Sequence, residues 1–322
     1  MIDFTKTTSE NFNSSALATF QKQLSKSSVY NSFCAALGKD YSTISFWNEI
    51  PFLPISFFKT HRVCQDLPIV HTFESSGTGG NRSQHLVHDL SLYEQSFFPT
   101  FQMYLEAPLE EVSILALLPS YLERNNSSLV YMVNALLPKA HSTSGFFLND
   151  FTALKNQLVE NEKNKIKTLL IGVSFALLDF SEQFPMPLKH TTIMETGGMK
   201  GRREELTRIE LHAALCKAFH LTEIHSEYGM TELFSQAYSK GNGIFECPPW
   251  MKVVCRDLHD PLSLLPHGKR GALNIIDLAN QNSCSFIATE DVGIVHENGT
   301  FEILGRMNHA EVRGCNLLFS ES

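Results

Sequence analysis

The chain has 322 residues, 43% hydrophobic and 19% charged, enough for one large domain or two closely packed ones. A net charge of −8 without a basic block argues against non-specific nucleic-acid binding. Seven dispersed cysteines (34, 64, 216, 247, 255, 284 and 315), with no CxxC pair, argue against a disulfide framework or structural zinc.

Thiols of this kind suit a cytoplasmic protein. The start, Met1-Ile-Asp-Phe-Thr-Lys6, lacks the charged-then-apolar pattern of a signal peptide. No run of 18 apolar residues occurs, so no membrane span is expected.

Residues 10–50 read as mostly helical and amphipathic. Ile50 to Lys59 carries two prolines three apart and reads as an extended apolar crossing, a core segment or the lining of an acyl channel. Ile69–Phe73 predicts a short strand leading into Glu74-Ser-Ser-Gly-Thr-Gly-Gly-Asn-Arg82. A helix is predicted over 89–106, a buried parallel strand over Val112–Leu118, and a helix over about 121–135. Asp150–Lys163 reads as helix and Thr168–Val173 as a second buried strand. Thr191–Met194 is a third strand, running into Glu195-Thr-Gly-Gly198. A helix over Glu204–Phe219 and a strand near 222–226 follow.

This alternation predicts an α/β fold, a parallel sheet flanked by helices, with ligands at the carboxyl ends of the strands. After about 245 the texture changes to short strands and turns, and Asn298-Gly299 marks a hairpin. The expected organisation is a helical segment packed on the core (1–60), an α/β nucleotide- and acyl-binding core (61–245) and a β-rich segment ending in an acyl-acceptor tail (246–322).

Four stretches carry candidate chemistry. Ser75, Ser76, Gly77, Thr78, Gly79 and Gly80 offer hydroxyls and exposed backbone N–H groups to an anion; a plain surface loop is the other reading. The loop is not a Walker motif, since no Gly-Lys-Ser/Thr follows. Gly197 and Gly198 open a glycine turn against which an adenine ring can lie flat, or they form an ordinary strand-to-helix turn. Tyr228-Gly-Met-Thr-Glu232 sets a ring that can stack on a purine beside Gly229, the Thr231 hydroxyl for a phosphate and the Glu232 carboxylate for Mg²⁺. A helix N-terminal turn also fits it. Asp291, with Glu290, is expected at a strand end, where it can accept from ribose hydroxyls, and Arg306 puts a cation near that edge. His71, His85, His141, His190, His225 and His259 show no metal-ligand spacing.

In order and spacing, these motifs resemble the nucleotide motifs of the adenylate-forming enzymes, which join a carboxylic acid to AMP. Within that superfamily the chain resembles the acyl-protein synthetases of the bacterial fatty acid reductase complex, the LuxE type. Pro51-Phe-Leu-Pro-Ile-Ser-Phe-Phe-Lys59, Phe73-Glu-Ser-Ser-Gly-Thr78 with His85 downstream, Leu304-Gly-Arg306 and Glu311-Val-Arg-Gly-Cys-Asn-Leu317 carry that resemblance, from about residue 40 to 318.

The resemblance implies ATP and Mg²⁺ as cofactors, a fatty acid or other acyl donor, an acyl reductase partner and an acyltransferase or thioesterase subunit. It also implies a role for His85 in orienting a phosphate or the acyl carboxylate. Gly79 stands where the superfamily loop has a second threonine, and the loop lysine is absent, so Arg82 is the candidate replacement. The chain stops soon after Arg306, so the fold expected is the large N-terminal domain of this class without the small C-terminal lysine domain.

That shortfall directs attention to Cys315, with seven residues after it and Arg313, Arg306 and His309 nearby. The resembling family acylates a cysteine close to the C-terminus, and Cys315 is the match in position; a small inert thiol is the other reading. Three functions follow. The first is an acyl-protein synthetase that forms acyl-AMP and then a thioester on Cys315. The second is a ligase acylating coenzyme A or an acyl carrier protein. The third is a non-catalytic acyl- or nucleotide-binding subunit.

Overall fold

The computed structural model describes residues 2–41, 43–75, 82–118, 126–197 and 206–307. Helix α1 (Phe12–Lys26) buries Phe12, Ala16, Thr19, Phe20 and Gln23, which the helical period places on one face. Ser27 ends it and caps α2 (Ser28–Ala36), its side chain accepting from the Tyr30 N–H. Helix does not continue to residue 50: turns and irregular chain follow, with one 3-10 turn at Trp47–Glu49.

The proline-bearing stretch is extended as far as β1 (Leu53–Pro54), which pairs in parallel with Ile287 and Ala288. It then departs from expectation, because the four residues Phe57–Thr60, free of proline, wind into helix α3. Strands β2 (His71–Glu74) and β3 (Gln84–Val87) make a separate antiparallel hairpin around the glycine-rich loop.

Helices and strands then alternate. They run α4 (Leu90–Leu105), β4 (Ser113–Leu117), α5 (Ser128–Leu136), β5 (Gly145–Phe146), α6 (Phe151–Asn164) and β6 (Thr168–Val173). Next come α7 (Ser174–Gln183), β7 (Thr191–Thr196), α8 (Arg208–Phe219) and β8 (His225–Tyr228). Asp89, Asp150 and Thr207 cap α4, α6 and α8, each side chain accepting a backbone N–H of the first turn. Helix α7 had no sequence signal. Seven of its ten residues are buried, so it lacks the broad polar face that reveals a helical period. Residues 119–125 and 198–205, at the predicted starts of two helices, lie outside the described residues.

The C-terminal part is all strand: β9 (Ala237–Ser239), β10 (Ile244–Glu246), β11 (Met251–Arg256), β12 (Arg270–Asp277), β13 (Phe286–Val295) and β14 (Phe301–Arg306). The described residues build a twelve-stranded sheet, in the order β11-β12-β13-β14-β10-β9-β8-β7-β6-β4-β5, with β1 beside β13. Strands β5, β4, β6, β7 and β8 are parallel, and from β8 to β11 every pairing is antiparallel. The β-rich segment thus continues the same sheet through β10 and β14.

Glu290 and Asp291 lie inside β13, not at a strand end as expected. The strand runs on through a register shift at Val292/Gly293. A Cβ on Gly293 would stand 2.1 Å from the Glu302 carbonyl, so only glycine lets β14 approach there.

Aromatic packing fixes the N-terminal helices on this sheet. Phe20 and Tyr30 stand 6.1 and 6.2 Å from Phe286 on β13, and the Tyr30 hydroxyl donates to the Pro51 carbonyl at 2.6 Å. Removing one fully buried phenylalanine of this kind costs about 3–5 kcal/mol.

Candidate active site

Parallel pairing sets the carboxyl ends of β7 and β8 on one edge of the sheet. Strand β7 leads there into Gly197, at φ 66°, whose carbonyl accepts the Ser174 hydroxyl. Strand β8 ends at Tyr228, followed by the turn of Gly229 to Glu232. The Tyr228 hydroxyl donates to Asp291 Oδ2 at 2.8 Å, and Arg306 Nε donates to Asp291 Oδ1 at 3.1 Å. Three sequence motifs, at 228, 291 and 306, therefore meet at one carboxylate. Each oxygen retains a lone pair with which to accept a further hydroxyl. The Tyr228 ring is only 8% exposed and packs edge-on against Phe245 and Phe301. Burial and the adjacent Asp291 raise its phenol far above the ordinary range.

The stem of the glycine-rich loop docks on the same turn. Ser75 N–H donates to the Ser83 carbonyl and Ser83 N–H to the Ser75 hydroxyl, both at 3.0 Å, so the loop is pinched at its base. Ser83 is buried, and its hydroxyl lies near enough to Glu232 to favour the charged carboxylate. Glu232 is 5% exposed. Burial raises its pKa, while the Ser83 hydroxyl, its own amide, Lys59 and Arg306 act against that rise. A buried carboxylate short of positive charge is a fitting oxygen ligand for Mg²⁺, which commonly takes one or two carboxylates plus substrate phosphates. Among the described residues no group of three or more His, Cys, Asp or Glu forms a self-contained metal cage.

Arg82 lies 3.7 Å from Glu74 and is largely exposed, so its charge is already engaged at the hairpin. Ser76, Gly77, Thr78, Gly79, Gly80, Gly198 and Cys315 lie outside the described residues.

His85 is completely buried and differs from expectation. Its Nδ1 stands 2.9 Å from the Thr231 carbonyl and Nε2 3.0 Å from Asn280 Oδ1. Both nitrogens face protein oxygens, so the ring does not present itself to a phosphate or an acyl carboxylate. The Thr231 carbonyl and Asn280 Oδ1 both only accept, so a neutral ring, with one N–H, donates to one of them at a time. Burial between Phe58 and Phe234 pushes the imidazole down to about 4, and its two polar contacts pull it back up.

Several contributors gave no motif signal. Asn280 donates its amide to the carbonyls of Glu232 at 2.8 Å and Cys284 at 2.9 Å. Asp277 accepts from Phe234 N–H, Ser235 N–H, the Ser235 hydroxyl and Ala279 N–H, anchoring the chain just after Glu232. Nothing in the sequence sets Asn280 and its polar neighbours apart; their burial was the missing information.

Two acids sit below the site. Burial pushes Glu195 up, but His212, Arg208 and Ser226 outweigh it and hold the carboxyl below its usual range. Glu227 is pushed up to about 7 by burial, despite the Thr196 hydroxyl donating to it at 2.6 Å. A Cβ at Gly229 would meet Glu227 Oε1 at 2.4 Å, so glycine is what the turn accommodates there.

A long mixed sheet that brings Tyr228, Glu232 and Arg306 together with Asp291 of β13, beside a glycine-rich hairpin, defines an adenylate-forming enzyme fold. Solved structures agree. An open conformation of 2-hydroxyisobutyryl-CoA ligase in complex with 2-HIB-AMP and CoA superposes with a TM-score of 0.68, at 11% identity, over 98% of this chain and 76% of that one. ATP-bound MatB from Rhodopseudomonas palustris superposes with a TM-score of 0.56, at 17% identity, over 85% of this chain and 52% of that one. The chain thus spans about half the length of MatB.

The protein belongs to the LuxE family of acyl-protein synthetases, which it matches over residues 4–322, and it is a ligase. It is 28% identical to the long-chain-fatty-acid–luciferin-component ligase of Vibrio harveyi, over 91% of this chain and 83% of that one. No helix among the described residues is long and apolar enough to cross a membrane.

Proposed function

We propose that the chain activates a long-chain fatty acid with ATP and passes the acyl group to its own Cys315. The observation that carries the reading is the convergence around the turn after β8 of the loop hairpin, the buried Glu232 and the Tyr228–Asp291–Arg306 cluster. In the first step a fatty-acid carboxylate oxygen bonds to the α-phosphorus of ATP. The bond to the bridging oxygen breaks, and pyrophosphate leaves with the electron pair. Glu232 would hold Mg²⁺, which neutralises phosphate charge when bound. The loop hydroxyls and N–H groups cradle phosphate, Gly197 and Gly198 lie against the adenine, and Asp291 accepts from the ribose.

In the second step the Cys315 thiolate attacks the acyl carbonyl carbon. A carbon–sulfur bond forms, the carbon–oxygen bond to AMP breaks, and the thiol proton has gone to solvent or a nearby base. The thioester is then passed to an acyl reductase, with an acyltransferase or thioesterase subunit as a further partner. On this reading residues 61–245 and the start of 246–322 form the adenylation site, 1–60 buttress it, and the far C-terminus carries the acceptor. The six described cysteines are all unpaired, which suits a cytoplasmic setting.

The test is incubation with ATP, Mg²⁺ and a panel of fatty acids. Pyrophosphate release reports adenylation and intact-protein mass reports the thioester. Acylation of added coenzyme A without self-acylation would move the reading to a coenzyme A ligase. No pyrophosphate with any acid would leave a non-catalytic acyl-binding subunit.

A further inference from the structure

We propose that His85 and Asn280 are positioning residues for adenylation: they fix the backbone carbonyls of Thr231 and Glu232, and so set where the Glu232 carboxylate points. The proposal rests on the reading of Glu232 as the Mg²⁺ ligand. The turn after β8 lies outside any strand or helix, so it has no ladder to orient its carbonyls. Its own backbone supplies one bond, Leu233 N–H to the Met230 carbonyl at 3.1 Å. The next two carbonyls are taken by side chains, Thr231 by His85 at 2.9 Å and Glu232 by Asn280 at 2.8 Å. Ser83, two residues before His85, lies near the Glu232 carboxyl and favours its charged form. The turn is therefore held at two successive carbonyls, one from the hairpin and one from Asn280.

The donors are held in their turn. Asn280 also donates to the Cys284 carbonyl at 2.9 Å. Its backbone carbonyl accepts from Gln23 Nε2 on α1 at 3.0 Å, and its N–H donates to the Asp277 carbonyl at 3.1 Å. His85, Asn280 and Gln23 are each fully buried, so these bonds are shielded from competing water. A rigid platform thus runs from the N-terminal helix through the buried polar turn to the proposed metal ligand. Preorganisation of this kind is what holds a ligand to within a fraction of an ångström of its working position.

The experiment compares wild type with His85→Phe, His85→Asn and Asn280→Ala. Fatty-acid-dependent pyrophosphate release is measured against Mg²⁺, ATP and fatty acid, together with Tm and hydrogen exchange of residues 229–234. Asparagine keeps a donor close to the Nδ1 position, whereas phenylalanine fills the space with none. For His85→Phe and Asn280→Ala the expected result is a kcat loss of roughly 10- to 100-fold and a higher Mg²⁺ requirement. KM for fatty acid should stay within about twofold, since a positioning loss acts on the transition state. Exchange should quicken at 229–234 and not in β6 or β13, and His85→Asn should recover much of the kcat. Near-wild-type kcat with unchanged exchange would overturn the proposal. So would losses that follow Tm, raise fatty-acid KM equally and are not rescued by asparagine. If wild type itself releases no pyrophosphate, the adenylation reading fails, and local exchange in the variants alone then decides whether the brace exists.

Discussion

The Tyr228 hydroxyl donates to the Asp291 carboxylate across 2.8 Å, tying the end of a parallel strand to the middle of an antiparallel one. Arg306 takes the other carboxylate oxygen at 3.1 Å, so one side chain joins β8, β13 and β14. Tyr228→Phe should cost about 1 kcal/mol of stability, the net worth of one such bond. Asp291→Ala should cost more and should raise KM for ATP, because it frees both Tyr228 and Arg306. Denaturant unfolding and ATP saturation curves check the order; an Asp291→Ala enzyme with unchanged KM for ATP would contradict the ribose assignment.

Glu232→Gln removes the charge but keeps the shape. Its carboxyl is already costly to bury, so the fold should tolerate the amide with Tm unchanged or slightly raised. Pyrophosphate release should fall by roughly 100-fold, the scale on which loss of a metal-linked electrostatic contact acts. Release at the wild-type rate would remove Glu232 from the metal site.

Gly229 leaves room for the Glu227 carboxyl, 2.4 Å from where a Cβ would stand. In Gly229→Ala the carboxyl must swing away and lose the 2.6 Å bond from Thr196. We expect a loss of about 1–3 kcal/mol and a displaced Tyr228–Glu232 turn. Adding Glu227→Ala should restore part of the activity. A double variant no better than the single one would show that the clash is not with Glu227.

Glu227 also sets a pH dependence. Burial raises its folded-state pKa to about 7, above the 4.5 of a free glutamate. The folded protein therefore holds this proton where the unfolded chain has lost it. The contribution is complete below about pH 4.5 and is lost as pH rises through about 7. Glu227→Gln should flatten the stability profile between these values and raise stability at pH 8. Urea midpoints across that range measure it; a Gln variant with the wild-type slope would assign the slope to another group.

Much of this fold was legible because its signals are local. Thr168–Val173 is a run of six buried apolar-strand residues, and Asp150 announces α6 as its cap. Asn298-Gly299 fixed the hairpin of β13 and β14 through turn chemistry alone. The motifs showed which residues would meet, but not what they meet. Asp291 was expected at a strand end because sequence does not reveal that glycine at 293 lets the strand continue. His85 was expected at the ligand because the family resemblance includes it; its partners, Thr231 and Asn280, lie 146 and 195 residues away, beyond what local sequence shows. Nothing in the sequence sets Asn280, Gln281 and Ser283 apart until α1 and residues 63–65 are seen to bury them.

On the proposed function, activation and self-acylation are two steps carried by two parts of one chain. The most direct test is the intact mass of wild-type and Cys315→Ala protein after incubation with ATP, Mg²⁺ and a long-chain fatty acid, with pyrophosphate followed in the same tubes. Wild type should gain one hydroxylamine-labile acyl group. Cys315→Ala should release pyrophosphate in the first turnover and gain no acyl mass, since its adenylation residues are intact and its thiol is gone. A labile acyl adduct that persists in Cys315→Ala would contradict the account.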